Sequence, residues 1–389
     1  MRVLLVNDYA PRFGGAERML FRLRDLLRAR GHDARTLTSS AGGGADADYT
    51  CAGTLGSFRA LLQSANPSAA RAMRRAIADF RPDVVYVKVF LTQLSPLILP
   101  ALRQVPTVYH AAWYRAVCPS GTKLLPDGTA CRAQPGVACY RHGCLPLRDW
   151  IPLMGQMALW RRWRGAFDRI VANSEWTRRV LIDGGIESVD VIPNGVQIVP
   201  ARPALTSPPS AMYAGRLIRE KGVDVLLRAF ASLGIADARL IVSGDGPERG
   251  PLEALASTLG IGDRVTWRGH EDAAALERAA SAAWVNVVPS LWAEPFGLST
   301  VEAAMRGTAT IASASGGSTE IVVDGVTGFL TPPGEAGELS VRLRRLLTDR
   351  AMAESMGAAA RVRALTEYNE DVFADRVLAL FDQVVARVA

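Results

Sequence analysis

Residues 284–302 read WVNVVPSLWAEPFGLSTVE. The apolar run Trp284–Val288 predicts a buried strand, and we expect a helix to start near Gly297, after the loop. A buried strand, a loop and a helix in this order form the repeating unit of a parallel sheet with helices on both faces. This stretch therefore predicts an α/β fold.

The same unit recurs along the chain. Further candidate strands are Arg2–Val6, Asp83–Val87, Thr107–His110, Arg169–Ala172, Ala211–Ala214, Leu240–Ser243, Val265–Trp267 and Thr308–Ala312. We expect two doubly wound, Rossmann-like domains that face a cleft at the carboxyl ends of their strands. The first domain would span 1–195 and the second 211–370, joined by the linker 196–210, which holds four prolines. An apolar stripe predicts a terminal helix over 371–389.

Composition and charge limit the class of protein. The chain has 389 residues, of which 49% are apolar and 21% are charged, which is typical of a globular protein. No apolar run reaches the roughly 18 residues that a membrane span needs, and the N-terminus turns polar too soon for a secretory signal. We therefore expect a cytoplasmic protein.

The net charge of +7 is unevenly distributed. Residues 1–200 carry 26 Lys and Arg against 15 Asp and Glu, a balance of +11, and the remainder carries a balance of −4. A basic half indicates an anionic surface or substrate, but arginines that only decorate solvated faces would give the same count.

Two basic residues follow a candidate strand in the second half. Residues 213–222 read YAGRLIREKG, and Lys221 is the only lysine of that half. Arg216 supplies a planar fork and Lys221 a compact charge, a combination that suits a diphosphate. The alternative is a solvated loop without a ligand.

The opening stretch adds two carboxylates and a helix start. Glu294 lies in the loop, and Glu302 falls on the second turn of the expected helix. The free N–H groups of Leu298, Ser299 and Thr300 would point at an anion, such as a phosphate. Carboxylates on either side would accept hydrogen bonds from hydroxyl groups. A capping glutamate and a surface glutamate would produce the same spacing without a site.

Glycine turns and one histidine are weaker signals. The loop Phe13–Glu17 contains Gly14 and Gly15, which let the main chain approach a phosphate or a sugar. Gly244 follows another strand in a tight turn, and Gly316 begins a glycine pair ahead of a helix. His110 ends a strand and could face the cleft, although a lone histidine is more often structural. The patterns of nicotinamide-binding Rossmann sites and of phosphate loops are absent from the sequence.

Four cysteines lie within 27 residues of the first half, at Cys118, Cys131, Cys139 and Cys144. Four clustered thiols in a reducing compartment favour a structural zinc ion over disulfides, although no Cys-x2-Cys pair is present. Disulfides and unlinked thiols stay open as alternatives. His142 is a spare ligand.

A basic aromatic stretch follows the cysteines. Residues 150–164 contain three tryptophans and three arginines, and such a helix could lie on an anionic membrane surface, at the inner face of the membrane. A packed helix with a solvated arginine face is the other interpretation. Nucleic acid is not expected as a partner, because the basic residues are scattered and no reading motif is present. The sequence gives no indication of the oligomeric state.

Together these motifs resemble the retaining family-4 glycosyltransferases of the GT-B fold. The likeness covers nearly the whole chain, and the two glutamates of 294–302 with the basic segment 215–222 are its specific part. The resemblance implies a sugar transfer from a UDP- or GDP-sugar to an acceptor hydroxyl, with retention at the anomeric carbon and no catalytic metal. The acceptor would be a small molecule or lipid-linked, in the synthesis of a glycoconjugate, a cell-surface polysaccharide or a natural product.

The resemblance also implies roles for residues. Arg216 and Lys221 would bind the donor diphosphate, Glu302 the ribose hydroxyls and Glu294 the hydroxyls of the transferred sugar. His110 would contact the donor sugar, and Gly15 would line the acceptor side. The terminal helix would cross back to the first domain.

Two alternatives keep the same fold. A non-catalytic sugar-nucleotide-binding scaffold would be expected to lose at least one of the four charged residues named for the donor, and all are present. A sugar-nucleotide epimerase would keep the donor site. A phosphorylase would need a further lysine for its pyridoxal phosphate, and the second half contains none.

Overall fold

The computed structural model describes residues 1–10, 14–43, 46–56 and 59–387. These residues form two compact units, of which the first comprises Met1–Gly195 with Glu370–Ala389 and the second Val196–Asn369. Each unit contains one parallel sheet with helices, as the alternation of strands and helices predicts.

The sheet of the first unit has seven parallel strands in the order β3-β2-β1-β4-β5-β6-β7. Their bounds are β1 Arg2–Val6, β2 Asp33–Ser39, β3 Tyr49–Cys51, β4 Val84–Val87, β5 Thr107–Ala111, β6 Arg169–Ala172 and β7 Asp190–Val191. Every residue of β4 and β5 is buried, because helices cover both faces of the sheet. The strands predicted in this half are thus confirmed, with ends that shift by one residue.

Eight helices accompany this sheet within the described residues. They are α1 Gly15–Ala29, α2 Arg59–Ser64, α3 Pro67–Phe80, α4 Leu99–Leu102, α5 Val137–Arg141, α6 Leu147–Trp163, α7 Glu175–Asp183 and, at the end of the chain, α15 Glu370–Ala386. Local sequence fixes their starts. Asn66 accepts a hydrogen bond from the Ala69 N–H at the start of α3, and Pro67 fills the first helical position.

The terminal helix belongs to the first unit. Phe381 of α15 packs edge-on against Tyr86 of β4, with ring centroids 5.7 Å apart. Glu370 accepts two hydrogen bonds of 2.6 Å from the Arg22 guanidinium of α1. The expected return of the chain to the first domain is confirmed, and the last two residues of the predicted helix, 388–389, lie outside the described residues.

The sheet of the second unit has six parallel strands in the order β10-β9-β8-β11-β12-β13. The bounds of the strands are β8 Ser210–Ala214, β9 Arg239–Ser243, β10 Val265–Gly269, β11 Val285–Val288, β12 Ala309–Ser313 and β13 Gly328–Thr331. The helices are α8 Val223–Ala231, α9 Arg249–Thr258, α10 Ala273–Ala282, α11 Leu298–Arg306, α12 Ser318–Ile321, α13 Ala336–Thr348 and α14 Arg350–Glu367.

The proline-rich segment expected as a linker packs on the second unit. Leu205 is buried in the core of that unit, and its N–H donates to the Glu354 carboxylate at 3.0 Å. The Arg202 N–H donates to the Arg306 carbonyl at 2.8 Å. No helix within the described part of the chain is long and apolar enough to span a bilayer.

Candidate active site

The neighbouring strands β9, β8 and β11 of the second unit end at one edge of the sheet. The turns beyond them contact each other through glycines. Gly222 has φ +64°, and a Cβ there would lie 2.1 Å from the Pro289 carbonyl oxygen after β11. Gly244 has φ +131°, and a Cβ there would lie 1.9 Å from the Gly215 carbonyl oxygen after β8. Larger residues would force these turns apart.

This packing brings together two residues that are 73 positions apart in the sequence. The Lys221 ammonium donates a hydrogen bond of 2.5 Å to the Glu294 carboxylate. Both side chains are mostly buried, at 18% and 12% exposure. The Ser290 hydroxyl donates to the same carboxylate oxygen at 2.6 Å. Burial alone would raise the pKa of Glu294, but the Lys221 charge and these hydrogen bonds outweigh it and hold that pKa below its ordinary value.

A glycine pair supports Glu294 from behind. The Gly317 N–H donates to the Glu294 carbonyl at 2.7 Å. Gly316 has φ +71°, and a Cβ there would lie 2.2 Å from the same carbonyl oxygen. The pair was only a weak motif in the sequence, and in the structure it fixes the main chain of the loop that carries the carboxylate.

The helix after this loop starts where the sequence predicts it. Gly297, with φ +106°, caps α11, and Glu302 is half-buried on the second helical turn. One part of the expectation is wrong: the Thr300 N–H already donates to the Gly297 carbonyl at 3.0 Å. Of the three predicted N–H groups, those of Leu298 and Ser299 are left for an anion.

Arg216 lies in the exposed part of this edge. Its side chain is exposed, and the described residues offer it no hydrogen-bond or ion-pair partner. The main chain beneath it is fixed, because the Tyr213 hydroxyl donates to the Arg216 carbonyl at 2.7 Å. The second unit therefore presents one free guanidinium, one paired ammonium and two helix N–H groups at a strand edge.

In the first unit, His110 lies near the end of β5 as predicted, and its side chain is in the interior. The side chain is fully buried, with Nδ1 2.5 Å from the Tyr86 hydroxyl and the ring centroid 6.1 Å from that of Phe373. Burial and the nearby Lys88 charge hold its pKa well below the ordinary value, so the imidazole is neutral. Its Nε2 atom is buried without a hydrogen-bond partner among the described residues, and the expected contact with the donor sugar stays a prediction.

The glycine loop of the first unit joins β1 to α1. Gly14 is the residue before the helix, in an extended conformation, and Gly15 is its first residue. Phe13, which opens the predicted loop, lies outside the described residues.

The sequence interpretation missed two buried charges beside this loop. The Lys88 ammonium, fully buried after β4, donates to the Asn194 side chain at 2.8 Å, and burial lowers its pKa to about 7. Asp8, fully buried after β1, has its pKa raised to about 6 by burial, although hydrogen bonds from residues 92–94 oppose this. Their positions directly after buried strands were the available signal.

The four cysteines line one pocket together with His142. All four thiols are free. Among the described residues, however, no three His, Cys, Asp or Glu side chains are arranged to hold one metal ion. A preformed zinc site is therefore not part of this structure, and zinc binding stays a prediction that elemental analysis of the purified protein tests.

Two family profiles match the chain, and together they cover most of it. Glycosyltransferase Family 4 matches residues 13–200, and Glycosyl transferases group 1 matches residues 199–363. The chain belongs to glycosyltransferase family 4. The resemblance stated from the motifs is confirmed.

Individual glycosyltransferases of the family are similar to parts of the chain. D-inositol 3-phosphate glycosyltransferase of Nocardia farcinica is 34% identical over 51% of this chain and 49% of its own length. Alpha-D-kanosaminyltransferase of Streptomyces kanamyceticus is 29% identical over 47% of this chain and 48% of its own. The chain thus spans about half the length of the curated relatives that it matches.

Solved glycosyltransferase structures resemble the entire chain. Sucrose-phosphate synthase from Thermosynechococcus elongatus is 25% identical, with a TM-score of 0.78 and 99% of both chains covered. HepE of Anabaena, solved in complex with UDP-glucose, is 21% identical, with a TM-score of 0.73 over 98% of this chain and 100% of its own. Two parallel-sheet units and these neighbours confirm the predicted GT-B fold.

Proposed function

We propose that this family-4 member transfers a sugar from a nucleoside-diphosphate sugar to an acceptor hydroxyl, with retention at the anomeric carbon. The observation that carries the proposal is the Lys221–Glu294 pair at the strand edge, beside the start of α11. A buried ammonium that shares its charge with one carboxylate keeps two further N–H donors for a diphosphate.

The leaving diphosphate gains negative charge as the bond to the sugar breaks. Arg216 and Lys221 would stabilise that charge, with the N–H groups of Leu298 and Ser299 and the helix dipole adding to it. Donors that are already oriented lower the barrier without reorganising during the reaction. The acceptor hydroxyl would attack from the face that the diphosphate leaves, and a diphosphate oxygen would take its proton.

The two glutamates would orient the donor. Glu294 is held ionised by Lys221, and a carboxylate accepts hydrogen bonds from the hydroxyls of the transferred sugar. Glu302 would accept from the ribose hydroxyls. No protein nucleophile is assigned, because Lys221 balances the charge of the Glu294 carboxylate and both the main chain and the side chain of Glu294 are held by hydrogen bonds.

The identity of the base is the finer part of the proposal. We propose a UDP- or GDP-sugar, and the UDP-glucose complex of HepE supports the uridine nucleotide by analogy of fold. A thermal-shift panel of UDP- and GDP-sugars tests it, since a ligand that binds the native state raises the melting temperature. A rise with one nucleotide series is expected, and no rise with any member would contradict a sugar-nucleotide site.

The reaction itself needs a second measurement. Incubation of the bound donor with candidate acceptors, followed by NMR of the anomeric centre, should give a product with the donor's configuration. An inverted product would contradict retention. Epimerised donor, or tight binding without turnover against any acceptor, would favour the epimerase or the non-catalytic scaffold instead.

A further inference from the structure

The first unit carries an apolar surface that the proposed reaction does not use. Val137 and Tyr140 on α5, with Leu147 and Ile151 on α6, are 52%, 47%, 51% and 60% exposed. We call these four residues the apolar face. Isolated exposed apolar residues are ordinary, but four large ones on two helices that contact each other form a candidate interaction surface.

The apolar face stands on a packed support. The rings of Tyr140 and Trp150 lie 5.9 Å apart, and the Trp150 indole N–H donates to the Gly136 carbonyl at 3.0 Å. Leu145 and Leu153 form a small core beneath the two helices. The exposed side chains are therefore held outward by ordered neighbours.

Helix α6 carries apolar residues on its outward face as well as on its inward face. Leu147 and Ile151 are four residues apart, so they lie one above the other on the exposed side of the helix. Leu153, Met157 and Trp160 are buried on its other side. The helix is apolar on both sides, as expected of a helix that packs on its own unit and also meets an apolar phase.

The chain segment that carries the apolar face is strongly basic. Residues 131–165 contain six arginines and one acidic residue, Asp149. Arg132, Arg141, Arg148, Arg161 and Arg162 are exposed. Asp149 is 25% exposed and lies 3.9 Å from the Arg148 guanidinium, so it neutralises little of this charge.

We propose that the apolar face and its arginines dock this protein on the surface of an anionic lipid bilayer. Leu147, Ile151 and Tyr140 would enter the boundary between headgroups and acyl chains, and the arginines would bind the anionic headgroups. Basic residues near such a surface are attracted to its negative charge, and the attraction weakens as salt increases. A second copy of the same face is a poor occupant, because it would bring like charges together.

Docking on a membrane is independent of the sugar transfer. It would place the first unit where lipid-linked acceptors reside, but binding to lipid needs neither donor nor acceptor. Failure of the docking test therefore leaves the proposed reaction untouched, and loss of transfer activity leaves the docking proposal untouched.

Sedimentation with vesicles tests the proposal. The full chain should bind vesicles that contain phosphatidylglycerol, should not bind pure phosphatidylcholine vesicles, and should be released by added salt. The double variant Leu147→Glu/Ile151→Glu should bind at least tenfold more weakly, because it places two negative charges in the docking surface.

The control places the same charges elsewhere. Val341 and Val362 in the second unit are 53% and 66% exposed, and Val341→Glu/Val362→Glu should bind like the unchanged chain. Equal melting temperatures of both variants exclude misfolding. The proposal is wrong if the unchanged chain ignores anionic vesicles, if both double variants bind equally, or if Leu147→Glu/Ile151→Glu instead abolishes a dimer seen by sedimentation velocity.

Discussion

The two sheets share a topology, but the charged residues at their strand ends differ in burial. In the first unit, Asp8, Lys88 and His110 follow or end the adjacent strands β1, β4 and β5, and all three are fully buried. In the second unit, Lys221 and Glu294 form an ion pair and are mostly but not fully buried, with side chains 18% and 12% exposed. Burial shifts the pKa of each of these three groups in the direction that favours its neutral form. In the second unit, the ion pair keeps the Glu294 carboxylate ionised.

The difference shows what a strand edge needs in order to bind a charged ligand. A buried lysine with one neutral partner gains by losing its proton, so it stabilises the fold best when uncharged. A lysine that is not fully buried and whose charge is balanced by a carboxylate stays protonated, and it keeps N–H donors for a ligand. The same position in the topology thus lies in the interior in one unit, and in the other it would bind a ligand under the proposed function.

The largest expected effect in free energy concerns Lys88. The pKa of Lys88 is about 7 in the folded chain, whereas the ordinary value for lysine, which we take for the unfolded chain, is 10.5. This difference in pKa is equivalent to about 5 kcal/mol of folding free energy. The unfolded chain binds the proton more tightly, so the lysine's contribution to stability rises with pH between about 7 and 10.5. In Lys88→Met this contribution is absent, and calorimetric melting temperatures across that range should show the unchanged chain gaining on the variant.

If the melting temperatures of the unchanged chain and of Lys88→Met differ by a constant amount across this pH range, Lys88 is not a buried lysine with a lowered pKa. Asp8 provides an internal check with the opposite sign. Because its pKa is raised from 3.8 to about 6, its contribution is present below pH 3.8 and is lost as the pH rises through 6. The pH ranges in which Lys88 and Asp8 change the stability do not overlap, so one series of measurements across pH resolves both contributions.

The next largest effect is expected at Lys221. Lys221→Ala should lower the turnover number by on the order of 100-fold or more, since it removes a donor to the leaving diphosphate and leaves Glu294 without its counter-charge. Steady-state kinetics with the donor found by thermal shift measure it. Arg228→Ala, on the exposed side of α8, is the control and should keep full turnover. Near-normal turnover of Lys221→Ala would remove the assigned role.

Much of this edge could be predicted from local sequence. Buried strands appear as apolar runs, and the strand end before Arg216 and the helix start at Gly297 follow from neighbouring residues. The pairing of Lys221 with Glu294 could not, because spacing along the chain does not reveal which loops meet. The burial of His110 depends equally on a distant residue, Phe373 of the returning helix.

A third, smaller effect on turnover is expected at Gly316, and it tests whether activity depends on the position of Glu294 or only on backbone strain. Gly316 and Gly325 have φ of +71° and +75°, but a Cβ at Gly325 meets nothing within 4 Å. Gly316→Ala should lower turnover roughly 30-fold, because its Cβ displaces the Glu294 main chain and a small misplacement of a reacting group is costly. Gly325→Ala carries the same strain and should keep its activity. Equal losses in both variants would show that Glu294 does not depend on this contact.

The smallest effect is expected at Glu302. A carboxylate that accepts from the ribose hydroxyls contributes one charged hydrogen-bond site, so Glu302→Ala should weaken the nucleoside diphosphate about tenfold in calorimetry. Glu338→Ala, an exposed glutamate on α13, removes the same charge from the unit and controls for long-range electrostatics. Unchanged affinity in Glu302→Ala would contradict the ribose contact. It would also leave the exposed Arg216 and the paired Lys221 as the charged residues assigned to the nucleoside diphosphate, and so sharpen the contrast with the buried charges of the first unit.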